Sequence, residues 1–204
     1  MFVLTVDQVA SRRRPDLVDQ ALTSLADVAA AVPFTRTLGD EFQGAVQEES
    51  SVLAAILILM RSRQWHLGLG IGPVERPLPT DSRSARGPAF VAARSAVEQA
   101  KREPSHLAVV SAAPTATEAE DAAVVLRLLL AAHERRSAQG WEAVDAMRAA
   151  TSQAEVATAL GISRQAVGQR LRAAAWALEE QTLPVLTRLL GRADDAATTP
   201  AVTR

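Results

Sequence analysis

At 204 residues the chain has room for one ordinary domain or two small ones, and with 48% hydrophobic residues but only 3% aromatic, its core must be built from Leu, Val, Ile and Ala. A formal charge of −1 excludes a chain that binds nucleic acid through overall charge, so any such affinity must come from a local basic patch. The absence of cysteine excludes disulfides, thiol chemistry and zinc fingers and fits a cytoplasmic location.

Phe2-Val3-Leu4-Thr5-Val6 is short, β-branched and apolar, and reads as a buried strand ending at Asp7. After a basic turn at Ser11–Arg14, the spacing of Leu17, Ala21, Leu22, Leu25, Val28 and Ala29 predicts an amphipathic helix to about Ala31, stopped by Pro33. Phe34–Leu38 and Phe42–Gln47 read as a hairpin around Gly39-Asp40. Ser50 or Ser51 is expected to cap a helix through Met60, whose apolar run is far shorter than the ~20 residues of a membrane span. Trp65, Leu67, Leu69 and Ile71 alternate with His66, Gly68 and Gly70 in a period-two strand, and the two glycines invite a close approach on one face. A Pro-, Arg- and Ser-rich loop leads to a helix over about Ala89–Arg102 and a strand over His106–Ser111, giving the order β-α-β-β-α-β-α-β over residues 1–111. Ala112–Thr117 reads as a linker. The remainder is helical: a helix from Glu118 to about Ser137 ended by Gly140, then one over Trp141–Ala150, with a second domain over residues 115–192 and a flexible tail over 193–204.

The strongest local signal spans Ser152–Ala173. Ser152-Gln153-Ala154-Glu155 fits a capping box, Gly161 supplies a positive φ, Ile162 plugs the corner and Ser163 caps a second helix. Val167 and Leu171 turn inward, leaving Ser163, Arg164, Gln165, Gly168, Gln169 and Arg172 outward; Arg164, Arg170 and Arg172 face no acid between Ser163 and Leu178. Arg pairs with guanine and Gln with adenine in the major groove of double-stranded DNA, and Gly168 would let the backbone approach. A helical hairpin with solvated charges is the bland alternative. Gln153-Ala-Glu-Val-Ala-Thr-Ala-Leu-Gly-Ile-Ser-Arg-Gln-Ala-Val-Gly-Gln-Arg-Leu-Arg172 resembles the helix-turn-helix of sigma-factor region 4 and of many bacterial regulators. The second helix is expected to run on through Trp176 and Leu178. Leu183, Val185, Leu186, Leu189 and Leu190 would form a further helix after Pro184, suited to pairing two chains into a homodimer.

Asp7 at a strand end and Asp40 at a hairpin tip can meet at one end of the sheet, where two carboxylates hold Mg²⁺ or Mn²⁺ beside a phosphate. Each alone also serves as a turn cap. Phe2–Asp7, Leu38-Gly39-Asp40-Glu41-Phe42, Leu67-Gly-Leu-Gly-Ile-Gly-Pro-Val74 and Gly87-Pro-Ala-Phe-Val-Ala-Ala-Arg94 resemble motifs of the class III nucleotidyl cyclase and GGDEF diguanylate cyclase superfamily. With the helix-turn-helix attached, the whole resembles the SatD family. The resemblance implies a ferredoxin-like, nucleotidyl cyclase-like fold. It also implies metal binding by Asp7 and Asp40, nucleotide contacts from Arg36, Gly39 and Arg94, and an Arg94 that acts across a dimer.

The departures set the expected function. Phe90 stands where the family's ribose-orienting Asn belongs, Arg36 where cyclases carry a base-reading Lys, and Leu38 where GGDEF has its first Gly. The expectation is a DNA-binding transcriptional regulator with an all-α helix-turn-helix C-terminal domain, its cyclase-like half a dimerisation or nucleotide-sensing module. The alternatives are a metal-dependent purine nucleotidyl cyclase localised by its helix-turn-helix, and a protein-interaction module. Arg12–Arg14 read as a solvated turn before a phosphate contact, whereas Arg83 and Arg86 read equally as triphosphate contacts or mobile surface. His66, His106 and His133 read as ordinary residues, Trp65, Trp141 and Trp176 as core anchors, and the lone Lys101 as a residue-usage bias.

Overall fold

A computed structural model describes residues 1–113 and 117–199, an α+β chain with a five-stranded mixed sheet. Residues 114–116 of the expected linker and 200–204 of the expected tail lie outside the described residues. The chain divides into two compact units, Met1–Arg127 with Leu186–Arg204 and Leu128–Val185. The sequence instead places the division at the linker. Ala119, Ala122, Ala123 and Leu126 on one side, and Leu186, Leu190 and Ala193 on the other, are buried and draw both segments into the first unit.

In chain order the first unit contains β1 (Phe2–Gln8), α1 (Val18–Ser24), β2 (Val32–Arg36), β3 (Glu41–Val46), α2 (Glu49–Met60), β4 (Trp65–Ile71), α3 (Pro88–Ala100) and β5 (Leu107–Ser111). The strand order is β2-β3-β1-β4-β5, with β1 antiparallel to both β3 and β4, β2 antiparallel to β3, and β5 parallel to β4. A near-continuous apolar β1 follows from this central position, which is covered on both faces. Helix α3 lies against β4, where a Cβ at Gly68 would come within 2.2 Å of the Val97 nitrogen and one at Gly70 within 2.2 Å of the Ala89 oxygen. The close approach that the two glycines allow is therefore that of a helix.

Helix α1 ends at Ser24 rather than near Ala31, because the Ala31 amide already donates to Ala45 (2.8 Å) and Val32-Pro33 belongs to the sheet. Pro33 is tolerated there because β2 is an edge strand. Helix α2 begins at Glu49 without a side-chain cap, so Ser50 and Ser51 lie in its first turn.

Beyond these lie α4 (Glu118–Glu134), α5 (Ala138–Ala149), α6 (Gln153–Leu160), α7 (Arg164–Ala173) and α8 (Trp176–Thr198). Gly140 does not end α4; Ser137 caps α5 by accepting the Gly140 amide at 3.1 Å. Helices α5, α6 and α7 share a core of Ala143, Val144, Val156, Val167, Leu171 and Ala174.

The expected continuation of α7 through Leu178 is interrupted at Ala175 (φ +53°), where Arg136 Nε takes the Ala174 carbonyl at 2.7 Å. Helix α8 then runs through Pro184 to Thr198, so residues 193–198 are helix where a tail was expected. Leu186 and Leu190, expected to face a second chain, are fully buried in their own. That buried stripe holds the helix together across its proline.

Candidate functional sites

The first unit carries an open cleft of about 600 Å³ lined by Asp7, the hairpin residues 37–41, Gln43, Arg83 and Arg94. Three local structures build it. Asp7, the last residue but one of β1, lies opposite Glu41 on β3 and His66 on β4. The hairpin loop closes through Thr37 N to Glu41 O (2.9 Å) and Glu41 N to Leu38 O (3.0 Å), with Gly39 at φ +59° as a tight turn requires. Arg94 projects from α3, exposed and without an ion pair among the described residues.

Asp7, Gly39, Asp40 and Arg94 thus line one cleft. Arg36 does not join them. Its guanidinium bonds to Asp16 (2.7 Å), Asp19 (3.2 Å) and the Gly39 carbonyl (2.8 Å), and it holds the Asp16 carboxyl below its ordinary range. Phe90, one turn before Arg94, packs into the core with Val3, Val32 and Ala45. Arg83 bonds Asp81 through Nε at 2.9 Å and holds that half-buried carboxyl down to about 2. Arg86 is exposed, and Arg14 of the basic turn bonds Gln64.

The surroundings of Asp7 escaped the sequence reading. Lys101 Nζ lies 3.3 Å from the Asp7 carboxylate and 2.7 Å from Glu98; burial opposes its charge, but the two acids outweigh it and raise the ammonium. His66 and His106 meet Nδ1 to Nδ1 at 3.1 Å, and burial, then the second imidazole, lowers His66. Forty residues separate these histidines, and only the parallel β4–β5 register joins them, so no spacing could have announced the pair. Among the described residues no group of three or more His, Cys, Asp or Glu could hold a metal ion. Asp7 and Asp40 do not form a metal centre alone. They fit a cation only if phosphate oxygens supply most of the ligands, the usual arrangement for Mg²⁺.

In the second unit, α6 and α7 present another surface. Ser152 accepts the Glu155 amide (3.3 Å), but Glu155 reaches Thr151, at its amide (3.0 Å) and hydroxyl (2.8 Å), rather than returning to Ser152. The capping box is thus displaced by one residue, and Thr151 keeps the Glu155 carboxyl below its usual range. Helix α6 ends in a Schellman turn: Gly161 (φ +64°) donates to Thr158, and Ile162 donates to Ala157 at 3.1 Å. Ser163 then caps α7 by accepting the Ala166 amide at 3.1 Å.

Ser163, Arg164, Gln165, Gln169 and Arg172 are exposed, and Arg164 and Arg172 have no ion pair among the described residues. Arg170 is tied to Glu142 on α5 at 2.7 Å. Gly168, expected to face outward, is buried; a Cβ there would lie 3.5 Å from both Gln153 Oε1 and Arg172 Nη1.

Behind this surface Glu179, 1% exposed, binds His133 Nε2 (2.8 Å), Arg136 and Arg148 (2.5 Å). Burial would raise its carboxyl, but His133 and Arg136 outweigh burial and hold it down to about 2. Arg136 stacks on Trp141 (4.7 Å) and Arg148 lies over Trp176 (5.8 Å), while Trp65 packs edge-on against Phe42 (5.3 Å). Each tryptophan is an anchor within its unit.

The model of the SatD family matches residues 8–182. The chain belongs to the SatD family. That match runs from the last residue of β1 through strands β2 to β5 and helices α1 to α7 into the start of α8, and Asp7 lies just before it. No curated protein and no solved structure matches it. Among the described residues, no helix is long and apolar enough to cross a membrane.

Proposed function

We propose that the protein is a cytoplasmic DNA-binding transcriptional regulator in which α6 and α7 form a helix-turn-helix and the sheet-bearing unit is a cyclase-like nucleotide sensor. The observation that carries this reading is the outer face of α7: Arg164, Gln165, Gln169 and Arg172 stand clear of solvent-side partners while Val167 and Leu171 fix the helix from behind. The Schellman turn and the Ser163 cap support the same assignment. Double-stranded DNA retained in a mobility shift at low salt is the expected result. Arg164→Ala should weaken binding at one base pair by about 1–3 kcal/mol, and Arg172→Ala should weaken all sequences alike. Failure to retain any genomic fragment would sink the reading.

For the first unit, the order β4-β1-β3-β2 with every neighbour antiparallel supports a ferredoxin-like fold, with β5 appended. The gathering of Asp7, Asp40 and Arg94 supports a nucleotide held with Mg²⁺ or Mn²⁺. The same gathering favours, as a second reading, a metal-dependent nucleotidyl cyclase. Phe90 weighs against turnover, since it is committed to the core where the family's ribose handle belongs. Incubation with ATP or GTP and Mn²⁺ separates the two: calorimetric binding without cyclic product supports a sensor, and robust cyclic product supports the enzyme. Asp7→Ala and Asp40→Ala should abolish the cation dependence in either case.

A further inference from the structure

The helix expected to pair two chains is buried in its own, so a second copy requires another surface. Helix α4 carries one. Its buried face holds Ala119, Ala122, Ala123, Leu126, Leu129 and Leu130, whereas Val124 is 46% and Leu128 66% exposed, and Ala131 is exposed beside them. Val124, Leu128 and Ala131 follow the 4-3 spacing of a helix-pairing seam. The seam ends in opposite charges placed evenly about its centre. Asp121 lies seven residues before Leu128 and Arg135 seven after, both exposed and neither in an ion pair among the described residues. Seven residues carry a helix through nearly two full turns, so Asp121, Val124, Leu128 and Ala131 share one stripe, and Arg135 follows at its end, the first residue past α4.

We propose that this stripe is a self-association surface on which α4 pairs antiparallel with α4 of a second copy about a two-fold axis near Leu128. Such pairing sets the two Leu128 side chains together and brings each Asp121 toward the Arg135 of the second copy, twice over. A parallel pairing would oppose like charges at both ends. An isologous contact of this kind closes on itself and stops at a dimer. Ala131 is small enough for the backbones to approach closely. Three apolar side chains per copy make a small seam beside the roughly 20–30 residues a side of a standard interface, so a dissociation constant on the order of 10 µM is expected.

The test is independent of DNA binding and uses sedimentation of the full chain without DNA. The wild type should shift from monomer to dimer as concentration rises to about 100 µM. Leu128→Arg, which places two like charges at the axis, should weaken association at least roughly tenfold. Asp121→Arg should weaken it too, and Asp121→Arg with Arg135→Asp should restore it, because exchanging the charges preserves antiparallel complementarity. All these positions are exposed, so circular dichroism should be unchanged. A wild type that stays monomeric throughout, a Leu128→Arg variant that dimerises like wild type, or a double reversal that fails to recover the association would each overturn the proposal.

Discussion

Gly68 and Gly70 show how a residue can matter through the atom it lacks. Any Cβ at Gly68 would meet main-chain atoms of α3, with the Val97 nitrogen at 2.2 Å and the Ala93 oxygen at 2.5 Å, so no side chain can swing aside to relieve the clash. Gly68→Ala should therefore force α3 off the sheet and cost about 3 kcal/mol or more, read as a fall in thermal midpoint. Gly39 is the control. Its positive φ strains alanine by about 1 kcal/mol, but nothing lies within 4 Å of the added atom. Equal losses at the two positions would show that steric closure by α3 is not what Gly68 provides. The sequence marked Gly68 and Gly70 as sites of close approach, and the partner it could not name is the helix some twenty to thirty residues downstream.

At the scale of elements, legibility follows the range of the interactions. β4 could be read residue for residue because strict alternation from Trp65 to Ile71 is a local pattern. The turn between α6 and α7 was equally legible, since Gly161, Ile162 and Ser163 act on neighbours no more than five residues away. That Asp7 and Asp40 face one cleft was inferable from strand order. Arg36, Gly168 and Glu179 were not legible, because their partners are set by packing: Asp16 and Asp19, Gln153, and His133 with Arg136.

The Glu179 cluster joins residues of α4, α5 and α8 with Arg136, just after α4, and Ala174, just after α7, within the second unit and gives that unit a definite acid response. Its carboxyl titrates near 2 when folded and from an ordinary value of 4.5 when unfolded. The stabilisation is therefore complete above about pH 4.5 and is lost as pH falls toward 2. Glu179→Gln should remove that dependence. It should also cost about 3 kcal/mol at neutral pH, because Arg136 would remain buried without its counter-charge. Acid titrations of the two proteins with indistinguishable slopes between pH 4.5 and 2 would refute this account of the cluster.

For the whole molecule, a formal charge of −1 supplies no long-range attraction to a polyanion, so the electrostatics of DNA binding must be counted guanidinium by guanidinium. On α7 that count is short. Arg170 is held by Glu142, leaving Arg164 and Arg172 without an ion pair among the described residues. If Arg172 meets a phosphate and Arg164 a base beside one, a single copy displaces about two counterions, and the logarithm of its affinity should fall with the logarithm of salt at a slope near −2. Two copies joined through α4 should approach −4 and engage two half-sites, with avidity set by the linkage rather than by new contacts. Wild type measured above its dimerisation range should therefore give a slope about twice that of Leu128→Arg, and Arg172→Ala should flatten the dimer's slope by about 2 units, one per copy. Fluorescence anisotropy on a palindromic site across a salt series reads all three values. A Leu128→Arg slope equal to that of wild type would mean that DNA is bound by single copies, while a slope near zero in every variant would remove α7 from the interface altogether.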